Sequence, residues 1–275
     1  MRLSGKVALV TGTSPNIGGG IAEGLAQAGA AIVAVDARVD NAADCARAIV
    51  AAGGKALGLT CDVCDEDQVR ATVGAGLAAF GRIDILVNNA AIFNKKGVLD
   101  MPLAEWRRQT DVILTGAFLM TKYVARAMIE RGIAGRILNI VSTAGHQGEP
   151  GNIAYCTAKS GLLNFTRSAA MELARHDIRV VSLTPTATDP AESFERAARW
   201  GREARRPSAA LAALMEPFRR GVPMQRLPKP TDYGRAAAFL VSDDAAMITG
   251  TDLRIDAGAL ARYWAWDPAQ SAAGA

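Results

Sequence analysis

Val7-Ala8-Leu9-Val10-Thr11-Gly12-Thr13-Ser14-Pro15-Asn16-Ile17-Gly18-Gly19-Gly20 is the stretch that decides the fold. Val7–Val10 is apolar without alternation, the pattern of a strand covered on both faces. The residues from Gly18 to Gln27 read as a helix. A glycine-rich turn between a strand and a helix lets backbone N–H groups approach a pyrophosphate at the helix N-terminus. A glycine cluster alone is weak; its place after the first strand gives it weight. Gly12, Ser14, Asn16, Ile17 and Gly18 are therefore candidate cofactor-binding residues.

Outward from this turn, short apolar runs alternate with Ala-rich amphipathic stretches. Further strands are expected at Ala31–Val35, Ala56–Cys61, Ile83–Val87, Arg136–Val141, Arg179–Leu183 and Leu253–Ile255. Helices fall between them, including a long one near Leu103–Arg131 and another near Ala154–Arg175. Regular β-α alternation predicts an α/β fold: one doubly wound Rossmann-type domain with a seven-stranded, mostly parallel sheet and helices on both faces. That domain is expected over 1–262, with a helical lid insertion for substrate at 189–223 and a C-terminal tail at 263–275. The tail carries Tyr263-Trp264-Ala265-Trp266, an aromatic patch expected to pack on something, and Gln270–Ala275 is expected to fray.

The strand ends carry polar residues where open α/β sheets bind ligands. Asp36 stands eighteen residues past Gly18, at the end of the second strand. A carboxylate there accepts the ribose hydroxyls of an adenosine and repels the extra phosphate of NADP. Arg38 is the one nearby cation, so NAD is expected and NADP stays as the alternative. Asp62 and Val63 follow the third strand, with Asp62 placed for the adenine edge. Asn88-Asn89-Ala90-Ala91 ends the fourth, where small residues line a ribose.

Tyr155 and Lys159 are four residues apart and share a helix face, and Ser142 lies thirteen residues before Tyr155. A phenol titrates near 10 and is a poor base at neutral pH. A nearby ammonium lowers that value. The trio is a candidate proton-transfer device for an alcohol or carbonyl, although a Tyr and a Lys at this spacing occur in many helices by chance.

The bulk numbers fit a globular enzyme. The 275 residues are 50% apolar and 21% charged, with a net charge of +4, too mild to argue for nucleic acid. Most of that excess is local: 192–220 holds seven arginines against four glutamates. Arg199, Arg205 and Arg206 are candidates for binding an acidic substrate, a solvated face being the commoner fate of such a run. No apolar run has the length of a membrane span and no signal peptide is evident, so a cytoplasmic protein is expected. No metal site is expected: Cys61 and Cys64 form C-x-x-C without a second ligand pair, and the only histidines are His146 and His176.

From about Leu3 to Ala259 the chain resembles the short-chain dehydrogenase/reductase family. The likeness is carried by the turn at Thr11–Gly18, Asp62-Val63, Asn88–Ala91, Ser142 and Tyr155-x-x-x-Lys159. The resemblance implies that Tyr155 is the general acid/base, that Lys159 lowers its pKa and binds the nicotinamide ribose, and that Ser142 positions the substrate oxygen. It further implies cofactor contacts from Asn89, Ala90, Pro185 and Thr188, and a homo-oligomer, tetramer or dimer. Four positions depart from the family pattern. Asn16 replaces a glycine, a swap rationalised by asparagine's tolerance of left-handed backbone. Ala91 replaces a glycine, Ile113 an asparagine that helps hold a relay water, and Thr186 a glycine. Pro190 further replaces a threonine. His146 and Asn94 flank the trio in sequence and are candidate substrate contacts, His146 having a structural hydrogen bond as its plainer role. The function expected is NAD-dependent interconversion of a secondary alcohol and a ketone. Alternatives are an NADPH-linked ketone reductase of the 3-oxoacyl type and a nucleotide-binding protein without chemistry.

Overall fold

The computed structural model describes residues 2–263 together with 266 and 267. Seven strands, β1 (Val7–Thr11), β2 (Ala31–Asp36), β3 (Ala56–Thr60), β4 (Ile85–Asn88), β5 (Arg136–Ile140), β6 (Arg179–Pro185) and β7 (Asp252–Ile255), form one sheet. Their order is β3-β2-β1-β4-β5-β6-β7, and every pairing is parallel. The order reverses between β1 and β4, and a crevice opens at such a switch point.

Alternate residues of each strand face opposite layers. On one face Ala8, Val10, Ile32, Ala34, Ile85 and Val87 meet Ile21 and Leu25 of α1 (Ile17–Gln27), Cys45 and Ile49 of α2 (Val39–Ala51), and Tyr233 and Ala237 of the helix Pro230–Leu240. On the other face Leu9, Val33, Val35, Leu86 and Ile137 meet α3 (Glu66–Phe80) and the long helices after β4 and β5. Helix boundaries follow local chemistry. The Asp65 carboxylate accepts from the amides of Asp67 and Gln68 to start α3, and Gly81 ends it in left-handed conformation.

The stretch after β4 is α4 (Leu103–Thr110), a π-helical turn (Asp111–Thr115) and α5 (Gly116–Glu130). This continuous helix is apolar enough to pass for a membrane span, which corrects the expectation that no run comes close. Its Val112, Leu119, Met120, Val124 and Met128 are buried in the second core layer, which explains the composition. Helix α6 (Ile153–Leu173) follows β5. The 189–223 segment forms α7 (Ala191–Arg199) and α8 (Ala209–Arg220), and α9 is Pro230–Leu240. In the tail, the Trp266 amide donates to the Tyr263 carbonyl at 2.9 Å; Trp264, Ala265 and 270–275 lie outside the described residues.

Candidate active site

Strands β1 and β4 meet at the switch point through Asn89. Its side-chain amide donates to the carbonyls of Thr11 at 3.0 Å and Gly12 at 2.9 Å. Thr11 Oγ1 in turn accepts from the amides of Asn89 and Ala90. Thr11, which the sequence offered only as the start of the turn, thus fixes the loop after β4 against the glycine-rich turn. Gly12 has φ +70°, and a Cβ on Gly18 would lie 2.0 Å from the Gly12 carbonyl, so the turn admits no side chain at either place. Ser14 and Asn16 accept from the amides of Gly19 and Gly20, curling the chain into α1.

Asn16 itself has φ −89°. The left-handed rationale for its presence is therefore wrong: this position does not need the conformation that glycine favours. No side chain caps α1, and with the Gly19 amide already on Ser14 it is the amides of Ile17 and Gly18 that are left for an anion. Asp36 sits at the end of β2, where its Oδ1 accepts from the Arg38 amide at 2.9 Å. Asp62 accepts from the Cys64 amide at 3.0 Å and pairs with Arg108 of α4 at 3.1 Å. Burial alone would raise its pKa, but these partners outweigh that and hold it below the ordinary range. Val63 beside it is buried against Gly116. This uncapped helix end, glycine cradle and row of carboxylates at strand ends fit a dinucleotide.

The proton-transfer trio is brought together from β5 and α6. Ser142 follows β5, its Oγ accepting from the Ala144 amide at 3.2 Å, and lies close enough to the Tyr155 phenol to act on its pKa. Lys159 is 2% exposed, donates to the Ile140 carbonyl at 2.5 Å, and lies 5.7 Å from the Tyr155 ring centroid. The expected depression of the phenol is not what the structure has. Burial pushes Tyr155 up, with Ser142 offsetting part of it, and burial pushes Lys159 down to about 7. The reason is distance and competition, since the ammonium is committed to a backbone carbonyl. Beneath the trio, buried Asn88 and Asn139 join each other at 2.9 Å and reach Thr121 and Thr166 on α5 and α6. Ile113 lies in the π-helical turn and is buried with Ala117, Val141, Ala158 and Leu162, so apolar packing fills the place of a relay amide.

The sequence candidates for substrate contact divide differently. His146 Nε2 bonds Thr184 Oγ1 at 3.0 Å and lies 3.3 Å from Asp252, so its ring serves β6 and β7. The Asn94 side chain is held by Glu105 and its amide by Gln109. Phe93, which the sequence reading passed over, instead packs edge-on to Tyr155, with centroids 5.8 Å apart and an interplanar angle of 64°. Lys95 pairs with Glu149 at 3.1 Å, and Glu149 also accepts from Asn152 at 2.8 Å, joining the loops after β4 and β5. Thr188 Oγ1 shares a hydrogen bond with Tyr233 at 3.1 Å, beyond the buried Pro185 that ends β6. Arg199 pairs with Glu23 on α1 and Arg205 with its neighbour Glu203, while Arg206 is exposed. Among the described residues no His, Cys, Asp and Glu cluster could hold a metal ion.

This geometry has close relatives. A family model described as enoyl-(acyl carrier protein) reductase matches residues 12–259. A 3-oxoacyl-[acyl-carrier-protein] reductase of Synechocystis is 36% identical over 260 residues, covering 93% of this chain and 97% of that protein. A galactitol 2-dehydrogenase of Agrobacterium fabrum is 36% identical over 262 residues, covering 94% of this chain and 98% of that protein. The solved structure of an NAD+-bound xylitol dehydrogenase superposes with a TM-score of 0.83 at 33% identity, covering 94% of this chain and all (100%) of that one. With the all-parallel sheet, the glycine turn at its switch point and the Ser142–Tyr155–Lys159 trio beside it, the chain belongs to the short-chain dehydrogenase/reductase family of oxidoreductases.

Proposed function

We propose that the protein is an NAD-dependent dehydrogenase that interconverts a secondary alcohol and a ketone. The observation that carries this is the convergence of Ser142, Tyr155 and Lys159 at the mouth of a dinucleotide cradle. The nicotinamide, when bound, supplies the hydride acceptor or donor. The Tyr155 phenol takes the hydroxyl proton in oxidation and returns it in reduction. Ser142 holds the substrate oxygen against that phenol. Lys159, held at the Ile140 carbonyl, provides positive charge beside the ring when it carries its proton. General acid–base transfer of this kind is worth roughly 10²–10⁴-fold. Tyr155→Phe should lower turnover by about that factor while NADH binding, followed by fluorescence, is unchanged; wild-type turnover in the variant would end the assignment.

Asp36 supports NAD over NADP, as a carboxylate at the end of β2 suits a ribose hydroxyl and repels a phosphate. An NADPH-linked ketone reductase is the second reading, favoured by Arg38 and by the likeness to the Synechocystis reductase. The lysines near the trio are paired, Lys95 with Glu149 and Lys96 with Glu105, which supports an uncharged substrate. A homo-oligomer is proposed through the α5 and α6 face, where Phe118 and Met171 are 48% and 82% exposed. Light scattering on purified protein tests that: a monomer mass at micromolar concentration counts against it.

A further inference from the structure

The first half of the 189–223 segment packs away from the trio, onto the glycine-rich turn. Glu192 at the start of α7 accepts from the Thr231 hydroxyl at 2.8 Å and its amide at 3.1 Å, tying α7 to α9. Ser193 Oγ donates to Asn16 Oδ1 at 3.1 Å. Arg196 has no exposed surface. Its guanidinium donates to Glu23 at 2.9 Å, to Glu192 at 2.6 Å and to the Pro15 carbonyl of the turn at 3.2 Å. The Trp200 indole N–H reaches Glu23 at 2.9 Å, and a Cβ on Gly19 would stand 2.8 Å from the Trp200 ring. Arg202 then bonds Asp44 and Asn41 of α2, each at 2.8 Å.

We propose that residues 188–202 are a strap that positions the dinucleotide-binding turn, with Asn16, Ser193 and Arg196 as its positioning residues. The inference rests on the dinucleotide reading of the turn. One stretch of chain leaves Thr188, in the loop assigned to the nicotinamide end, crosses Pro15 and Asn16 beside the open amides of α1, and locks onto α2 just past Asp36. These are three places along the path a dinucleotide takes across the carboxyl ends of the strands. A buried guanidinium is costly to separate from its partners, because each carboxylate left behind would be buried without compensation. Arg196 therefore makes α7 and the turn move as one body. Asn16 gains a reason as well. Its backbone is not left-handed, and the side chain that a glycine would lack is the one that takes the Ser193 hydroxyl. A Cβ on Gly19 would meet the Ser14 carbonyl of the turn at 2.5 Å as well as the Trp200 ring, so the turn and the strap close on the same bare position.

Titrating NADH and NADPH into the purified protein by fluorescence tests the strap without needing a substrate. Asn16→Gly and Ser193→Ala should each weaken binding of the preferred cofactor about two- to tenfold, the effect of one lost hydrogen bond. The double variant should be no weaker than the weaker single, because both remove the same bond. Trp200→Phe, which loses the indole bond to Glu23, should weaken binding too, with melting curves confirming that each variant is folded. In a coupled assay the KM for cofactor should rise while that for the alcohol stays put. Tight wild-type binding with all three variants within twofold of it would overturn the strap and leave the dinucleotide reading standing. Additive losses in the double variant would overturn the Asn16–Ser193 link. A wild-type protein that binds neither nucleotide would remove the dinucleotide reading and the strap with it.

Discussion

The Lys159 ammonium lies 5.7 Å from the centroid of the Tyr155 ring and donates to the carbonyl of Ile140 rather than to the phenol. Burial drives the two groups toward neutrality, the phenol up and the ammonium down to about 7.

That arrangement makes a stability prediction. In the unfolded chain Lys159 keeps its proton up to about pH 10.4, whereas in the fold it gives the proton up near 7. Between those values the unfolded state holds more protons, so this group's penalty is full below pH 7 and fades as pH rises toward 10. Lys159→Met removes the penalty. The variant's Tm should exceed wild type at pH 6 and the gap should close by pH 10, by a few kcal/mol at most at about 1.4 kcal/mol per pH unit. Calorimetry of cofactor-free protein at several pH values checks it, and a gap that does not change with pH would refute the assignment of burial as the cause.

Asp36→Ala should invert or level the cofactor preference. Removing a like charge a few ångströms from a phosphate is worth on the order of 1–4 kcal/mol, so KM for NADP should drop about tenfold or more. Loss of the carboxylate acceptor should raise KM for NAD by roughly tenfold. Steady-state kinetics with both cofactors reads this directly; an unchanged ratio would mean that Asp36, already bonded to the Arg38 amide, does not meet the ribose.

Phe93 is 65% exposed yet packed edge-on to the Tyr155 ring. An exposed aromatic at that place gives a substrate a flat apolar wall. Phe93→Ala should raise KM about two- to tenfold for secondary alcohols bearing a ring, the value of one aromatic pair, and change KM less for linear polyols. Equal effects on both classes would remove Phe93 from substrate selection.

Ile113→Asn would place an amide among Ala117, Val141, Ala158 and Leu162. Burying that amide without partners should cost about 1–3 kcal/mol, seen as a lower denaturation midpoint at unchanged slope. A variant as stable as wild type would show that polar partners or water can reach this position after all.

Much of this was legible along the chain. Strand runs such as Val7–Val10 and Ala31–Val35, buried on both faces, show as unbroken apolar segments, and the Gly12–Gly18 turn shows because close backbone approach excludes every other residue. Tyr155 and Lys159 show through helical spacing. The carboxylates Asp36 and Asp62 show through their place at strand ends. These are local rules, carried by neighbours in sequence. What the sequence by itself determined was therefore the sheet and the order of its elements along the chain. Only the tertiary structure decided the direction of each side chain. His146 turned to Thr184 and Asp252, Lys159 found the Ile140 carbonyl, and Arg196 bridged Pro15 and Glu23 across more than 170 positions. Such partners are chosen by burial: a buried charge or ring nitrogen takes whatever polar group the packed fold brings within reach, and that group bears no fixed spacing to it in the chain.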